Sequence, residues 1–336
     1  MAENITVVSN LSCDDEKSAL LQQVSISGLL TLLCSVVLAT LVAIGGTFMN
    51  SLVLVVLWRK PSLQTNSNIL LGSLAISDLI VSAVLTPCDM YRRILYINKH
   101  YDCKFEYDYY IPQVFFIGVS LYTVVLITLD RFVSLFLPYW YTSFVSRRWT
   151  LILAAMVWVT CFILQLPLII SYDPNSPKSK VKDIMGYSIF LSTILALVCV
   201  SLAYLKIYQL CRQHMRQIAS VEAISEQDRR TAREAKAAKT ISSVVLCLFL
   251  CYLPIMIVPF MALKCHCTSF SSRTTLIYPW VQLLLCINSF FNPILYWCKI
   301  TEIKGAMKET MQSCYVKLIR TKQTRTRSTN SLPRSR

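Results

Sequence analysis

Residues 276–298 read LIYPWVQLLLCINSFFNPILYWC, an apolar run broken only by Gln282, Asn288, Ser289, Asn292 and two prolines. A helix needs about 20 such residues to cross a bilayer. Asn292-Pro293-Ile294-Leu295-Tyr296 closes the run. Its proline removes a backbone hydrogen bond and kinks the helix there. Six further apolar runs precede it, near residues 27–58, 67–92, 111–137, 149–170, 185–210 and 240–263, and the third ends in Asp130-Arg131-Phe132. All are rich in Leu, Val and Ile without the period-two alternation of a membrane barrel. The pattern predicts an all-α membrane protein, a bundle of seven transmembrane helices.

Composition leads to the same solvent. Hydrophobic residues make up 55% of the chain and charged residues 15%, against about 25% charged in a soluble protein. The formal net charge of +15 suggests nucleic acid until it is mapped onto the spans. With the N-terminus outside, 23 of the 33 Lys and Arg but only 7 of the 18 Asp and Glu fall on the cytoplasmic side. That bias sets the orientation. The basic tail (Lys317, Arg320, Lys322, Arg325, Arg327, Arg334 and Arg336) then faces anionic membrane lipid. Nucleic-acid binding would need a basic soluble domain, and no stretch of the chain supplies one.

Four segments are expected. Residues 1–26 form an extracellular segment, polar and acidic, with no basic lead or cleavage site of a signal peptide. It carries two glycosylation sequons, at Asn4 and Asn10. Residues 27–298 form the seven-span domain. Residues 299–314 form an amphipathic eighth helix, because Ile300, Ile303, Met307, Met311 and Cys314 recur at three- and four-residue spacing beside Lys299, Lys304 and Lys308. Such a helix lies on the inner leaflet, and Cys314 is either a palmitoylation site or a plain interfacial cysteine. Residues 315–336 form a basic tail, disordered by composition. The longest loop, about Cys211 to Lys239, is polar and helix-prone from Glu226. Of fourteen cysteines, Cys13, Cys103, Cys265 and Cys267 fall outside the cell. They permit several disulfide connectivities, and the sequence does not choose among them.

An ionisable group inside a span costs roughly 2.5–3.5 kcal/mol or more, which makes Asp78, mid-way through the second span, a functional candidate. Asn50, Ser120, Asn288, Ser289 and Asn292 are the polar residues of neighbouring spans. They suit interhelical hydrogen bonding. Together with one carboxylate they also suit a small hard cation.

With these residues in place, the chain resembles the rhodopsin-like (class A) G-protein-coupled receptors over about residues 27–314. The resemblance is carried by Asn50, Leu74 to Leu79, Asp130-Arg131-Phe132, Trp158, Tyr204, Cys251-Tyr252-Leu253-Pro254 and Asn292 to Tyr296. It implies transmission of an extracellular ligand's binding to heterotrimeric G proteins at the plasma membrane. It also implies an allosteric sodium site at Asp78, Ser120, Asn288, Ser289 and Asn292, with no other cofactor. It implies a switch in which Arg131, permanently charged with five donors, pairs with Asp130 and Glu234 in a closed state. Pro254 and Pro293 then hinge their helices, Tyr204, Tyr252 and Tyr296 belong to the switch, and Pro138 and Tyr139 add a docking contact. Phosphorylation of Thr324, Thr326, Ser328, Thr329 and Ser331 by receptor kinases would turn the basic tail acidic, for arrestin to bind.

The chain departs from the family at several positions. Ala196 stands where a span-five proline is usual, and Leu121 and Leu248 occupy core positions beside it. Tyr252 replaces a common tryptophan and Phe132 a common tyrosine. The second outer loop, about Ser171 to Asp183, has no cysteine for Cys103. The absent proline and loop cysteine are similar to the melanocortin and lysophospholipid branch. Gln113 stands where amine receptors carry aspartate, and Cys286 where opsins carry the retinal lysine. The ligand pocket is expected around Asp89, Glu106, Asp108, Gln113, Ser188, Tyr252 and Gln282. Its acids, with Asp102, would receive a basic peptide or an amine, or else are solvated loop charges.

Rival classes fare worse. Seven-span hydrolases gather His and acids around a metal, whereas His100, His214 and His266 all lie outside the spans, so an enzyme is not expected. A channel or transporter needs several charges along a path, and Asp78 is the lone mid-membrane charge. A receptor of this fold that scavenges or scaffolds without signalling is the remaining alternative.

Overall fold

The computed structural model describes residues 26–98, 100, 103–170, 180–218, 250–254, 257, 268–299, 301–313 and 316. The side chains of Cys103, Glu106 and Tyr296 fall outside that set. Also outside it are Asn4, Asn10, Cys13, Asp102, Glu234, Leu248, Cys265, Cys267, Cys314 and the phosphorylatable tail. Among the described residues every regular element is helical.

The first span is Ile26–Arg59, and its 34 residues rise roughly 50 Å, well beyond the ~30 Å hydrocarbon core. Leu30, Val37, Leu41 and Ile44 stand exposed along it, as Met156, Val159, Phe162 and Ile163 do along the fourth span, Arg147–Ile170. Helices that present leucine and valine on their outer faces are stable only where the solvent is itself apolar. Five helices in the described set are long and apolar enough to cross a membrane.

The second span begins at Asn66, where Thr65 caps the helix by accepting a bond from the Asn68 amide at 3.4 Å. It runs as α-helix to Ile80, passes through a five-residue π turn, Val81–Leu85, and continues as Thr86–Ile97. Pro87 is the reason for the wide turn: it has no N–H to return to the preceding turn. Thr86 bridges the gap, its backbone N–H and its hydroxyl both reaching the Val81 carbonyl, the latter at 2.8 Å. One extra residue in the turn re-aims the outer segment by about 100°. That outer segment carries Asp89, Arg92 and Arg93.

The third span, Cys103–Phe136, packs against the second, the fourth and the fifth, Lys180–Ile218. Trp158 fastens the fourth span to the second through its indole N–H on Ser73 Oγ at 3.0 Å, and it packs edge-on to Phe115 and Phe116 of the third. The seventh span, Thr268–Lys299, lies along the first. Gly45 permits the approach, since a Cβ there would meet the Phe290 ring at 2.5 Å, and Gly46 does the same toward the second span, where a Cβ would overlap Ser82 Oγ.

The helix at 301–313 divides its apolar stripe. Ile303 and Met307 are fully buried in the same core cluster as Val53, Val56 and Leu70, while Met311 is exposed. The spacing that suggests a helix on the leaflet therefore also docks it to the bundle, and an ion pair from Lys60 to Glu309 ties it to the first inner loop.

Gly46→Val is expected to destabilise the protein by about 1–3 kcal/mol, the cost of overpacking a filled interface. Thermal melting of the purified protein in detergent, beside Gly305→Ala where the added Cβ meets nothing within 4 Å, checks it: only the former should fall.

Candidate functional site

Three polar assemblies are built into the apolar bundle, one above another along the second span. The middle one centres on Asp78, which is fully buried. Its Oδ1 accepts bonds from Ser289 Oγ at 2.8 Å and Ser120 Oγ at 3.3 Å, and its Oδ2 accepts from Asn292 Nδ2 at 2.7 Å. One carboxylate thus joins spans two, three and seven. Ser77 extends the set by sharing a bond with Ser120 at 2.8 Å. Asn50 joins the first span to the seventh, its amide donating to the Gly46 and Ser289 carbonyls, both at 2.9 Å. The amide oxygens of Asn288 and Asn292 are buried without a donor. Four of the five residues expected to gather here are directly hydrogen-bonded to one another through Asp78; Asn288 is buried as well but does not bond to it.

The inner assembly holds Asp130. Its Oδ2 accepts from Ser67 Oγ at 2.6 Å and its Oδ1 from the Tyr141 hydroxyl at 2.8 Å. Tyr141 belongs to a short inner-loop helix, Pro138–Phe144, which opens on Pro138 where a missing N–H costs nothing. Burial, then the Asp130 carboxylate, push the Tyr141 hydroxyl up to about 12, so at physiological pH it is a fixed donor. The expected Asp130–Arg131 pair is absent among the described residues: both carboxylate oxygens are taken, and the Arg131 Nε is buried with no acceptor. Glu234 lies outside the described residues. Tyr204 is buried nearby on the fifth span, and Tyr139 stands 86% exposed at the inner surface. Nothing in the sequence singled out Ser67 or Tyr141, because their role depends on a loop folding back.

The outer assembly differs most from expectation. Asp89 is neither solvated nor open: it is fully buried, with its Oδ1 bonded by Arg92 Nη2 at 2.7 Å and its Oδ2 by Arg93 Nη2. The three sit at i, i+3 and i+4, the spacing that brings helix neighbours together, so this pairing was legible in the sequence. Arg93 Nη2 also donates to the Pro279 carbonyl at 3.0 Å. The Arg92 guanidinium stands over the rings of Tyr96, Tyr109 and Tyr278, 5.3–5.6 Å from their centroids. One turn further in, Gln113 donates to Gln282, and deeper still the buried Tyr252 hydroxyl donates to the Ile117 carbonyl at 3.2 Å, just ahead of Pro254. Asp108 and Ser188 are exposed. Glu106 is helical, its side chain outside the described set.

Six packed apolar spans among the described residues, a polar seam on the second and an arginine near the end of the third coincide with a known family. A match to the family described as 7 transmembrane receptor (rhodopsin family) covers residues 49–296. The chain belongs to that family. Its members are receptors rather than enzymes, and this rhodopsin-family receptor is a multi-pass membrane protein. Relatives include D(2) dopamine receptor A of Xenopus laevis, 26% identical over 186 residues, or 54% of this chain and 42% of that one. Melanocortin receptor 5 of Mus musculus is 23% identical over 77% of this chain and 78% of its own length. The alpha-1A adrenergic receptor of Oryzias latipes is 24% identical over 79% of this chain and 64% of its own. The chain thus spans less than half of the dopamine receptor and just under two thirds of the adrenergic one. The three names do not agree on one ligand, so the ligand has to be read from this receptor's own pocket.

Asp78→Leu is expected to leave Ser120, Ser289 and Asn292 without their acceptor, at a cost of about 1–3 kcal/mol. Asp78→Asn keeps one acceptor oxygen and should melt closer to the unmutated receptor in the same detergent. Equal melting of all three proteins would show that the seam contributes nothing to stability.

Proposed function

We propose that this receptor sits in the plasma membrane with its N-terminus outside and transmits binding of an extracellular ligand to heterotrimeric G proteins. The observation that carries the reading is the inner assembly. Asp130 is held by Ser67 and Tyr141, which leaves the permanently charged Arg131 without a partner among the described residues. It is thereby available to Glu234 in a closed state and to an incoming protein in an open one. An exposed ion pair contributes modestly, which suits a latch. Pro254 and Pro293 give spans six and seven flexible points, with Tyr296 below the second. Tyr139 and Trp140, both exposed, supply an aromatic docking contact beside Pro138. Ligand and G protein favour the same open state, so each tightens the other. Receptor kinases and arrestin act on the basic tail, anionic lipid holds it when unmodified, and Cys314 takes a palmitoyl chain. Sugars occupy Asn4 and Asn10.

The Asp78 assembly fits a sodium ion. It offers a carboxylate, the hydroxyls of Ser120 and Ser289, and the amide oxygens of Asn288 and Asn292 that are buried without donors. Hard cations take oxygen ligands of this kind. A bound cation would hold spans two, three and seven in their present packing and so oppose opening.

Two measurements test these readings. In membranes reconstituted with G proteins, activating ligand should drive nucleotide exchange, Arg131→Ala should reduce it about tenfold or more at unchanged surface expression, and Glu234→Ala should raise the basal rate. A chain that never raises exchange on any G-protein class is the scavenger or scaffold instead. Separately, sodium should weaken agonist binding by a factor equivalent to roughly 1–3 kcal/mol, and Asp78→Asn should remove that dependence. An unmutated receptor whose agonist isotherm ignores sodium would rule the ion out.

A further inference from the structure

The outer assembly contains donors that nothing in the described structure answers. Arg93 is fully buried. Both protons of its Nη2 are used, one on Asp89 and one on the Pro279 carbonyl, but its Nε and Nη1 have no acceptor. Asp89 does not reach them: Arg92 holds its Oδ1 through two nitrogens, at 3.1 and 2.7 Å, and its Oδ2 meets Arg93 only at Nη2. A buried donor left unmade costs about 1–3 kcal/mol, more when the group is charged. A second unanswered donor lies near: Gln282 is buried, its oxygen taken by Gln113 and its Nε2 without an acceptor. Gln282 follows Pro279 by three residues, which places it on the same face of the seventh span as the carbonyl that Arg93 touches.

We propose that this is the receptor's ligand-recognition point and that it takes a carboxylate, which accepts from Arg93 Nε and Nη1 and from Gln282 Nε2. The proposal deepens the receptor reading above, on which it rests. It replaces the expectation of a basic ligand held by outer acids: the acid at the centre, Asp89, is already spent on two arginines. A charge-assisted bond in a site shielded from water is stronger than a neutral one, so an anion is favoured over an ester or amide oxygen. Tyr109 and Tyr278 border the assembly and offer ring surface to the body of such a ligand. Because Arg93 is sealed in by its contact with Pro279, entry of the carboxylate must disturb that contact between spans two and seven. The seventh span carries the disturbance inward to Ser289 and Asn292 on Asp78, which gives the ligand a physical route to the switch. The carboxylate can belong to a small organic acid or to the C-terminus of a peptide.

Thermal melting of the purified full chain in detergent, at fixed sodium and pH, tests this without any transducer. The probes are straight-chain and aromatic monocarboxylates, their methyl esters, primary amides and matching amines, and short peptides with free or amidated C-termini. The expected result is a dose-dependent rise in melting temperature with at least one acid or free-ended peptide, and none with its ester, amide or amine counterpart. Arg93→Gln should raise the half-maximal concentration about tenfold or more, and Arg93→Lys should recover part of that loss. If Arg93→Gln does not fold, Gln282→Ala, which removes a donor and no charge, should raise the half-maximal concentration about threefold or more. A panel in which no carboxylate shifts melting overturns the proposal. So does stabilisation by amines that Asp89→Asn abolishes, or a carboxylate effect indifferent to both Arg93 and Gln282. A carboxylate shift without any nucleotide exchange would instead count against the G-protein reading alone.

Discussion

Asp78 is the constraint around which this receptor is assembled. A lone carboxylate in a bilayer is expensive wherever it is exposed to lipid, and the cost falls only when neighbouring helices bring donors to it. Here three do, from spans three and seven. Their arrival fixes the rotation of each helix about its axis, because a helix turned by one residue would aim its donor about 100° away. Apolar packing alone cannot do this in a membrane, where the lipid tails are as apolar as the leucines. The close approach of spans one and seven at Gly45, and the Asn50 bond across it, complete the same seam.

A second consequence follows from placing the three polar assemblies on one helix. The second span carries Ser67 at its inner end, Asp78 in the middle and Asp89 with its two arginines outside. The π turn at Val81–Leu85 separates the middle from the outer assembly and sets the outer one's direction independently. A single element therefore touches all three assemblies, while its partners change from the seventh span at one end to the third at the other. Movement of span seven relative to span two is felt at the outer and middle assemblies together. That arrangement supplies contiguous contacts of the kind that coupling between distant sites requires.

The departures from the family pattern become intelligible at this level. Ala196 is buried in the same core cluster as Leu121, where a proline is usual, so this stretch of span five keeps a continuous helix. Tyr252 in place of tryptophan gives the sixth span a hydroxyl that reaches the Ile117 carbonyl, a polar tie across to the third span that an indole ring of different shape would not reproduce. Gln113 bonds Gln282 instead of presenting a carboxylate to an amine. Each change removes a familiar contact and builds another from different chemistry.

The sequence by itself determined the solvent, the helices and the family, because those rest on run length, period and motif order, which are one-dimensional quantities. It also marked Asp78, Ser120, Ser289 and Asn292, since a polar residue in an apolar run stands out whatever it touches. The helix at 301–313 was legible from its spacing, yet only packing decided that Ile303 and Met307 enter the core while Met311 does not. Likewise, only the tertiary structure decided who holds Asp130, because Ser67 and Tyr141 come to it from another helix and a loop. It also decided that the cluster of Asp89, Arg92 and Arg93 packs against Tyr109, Tyr278 and Pro279. A charge near the end of a span reads the same in sequence whether it faces water or the bundle. The difference lies in how a π turn aims it and in which neighbours fold against it, and neither is written in the order of the residues.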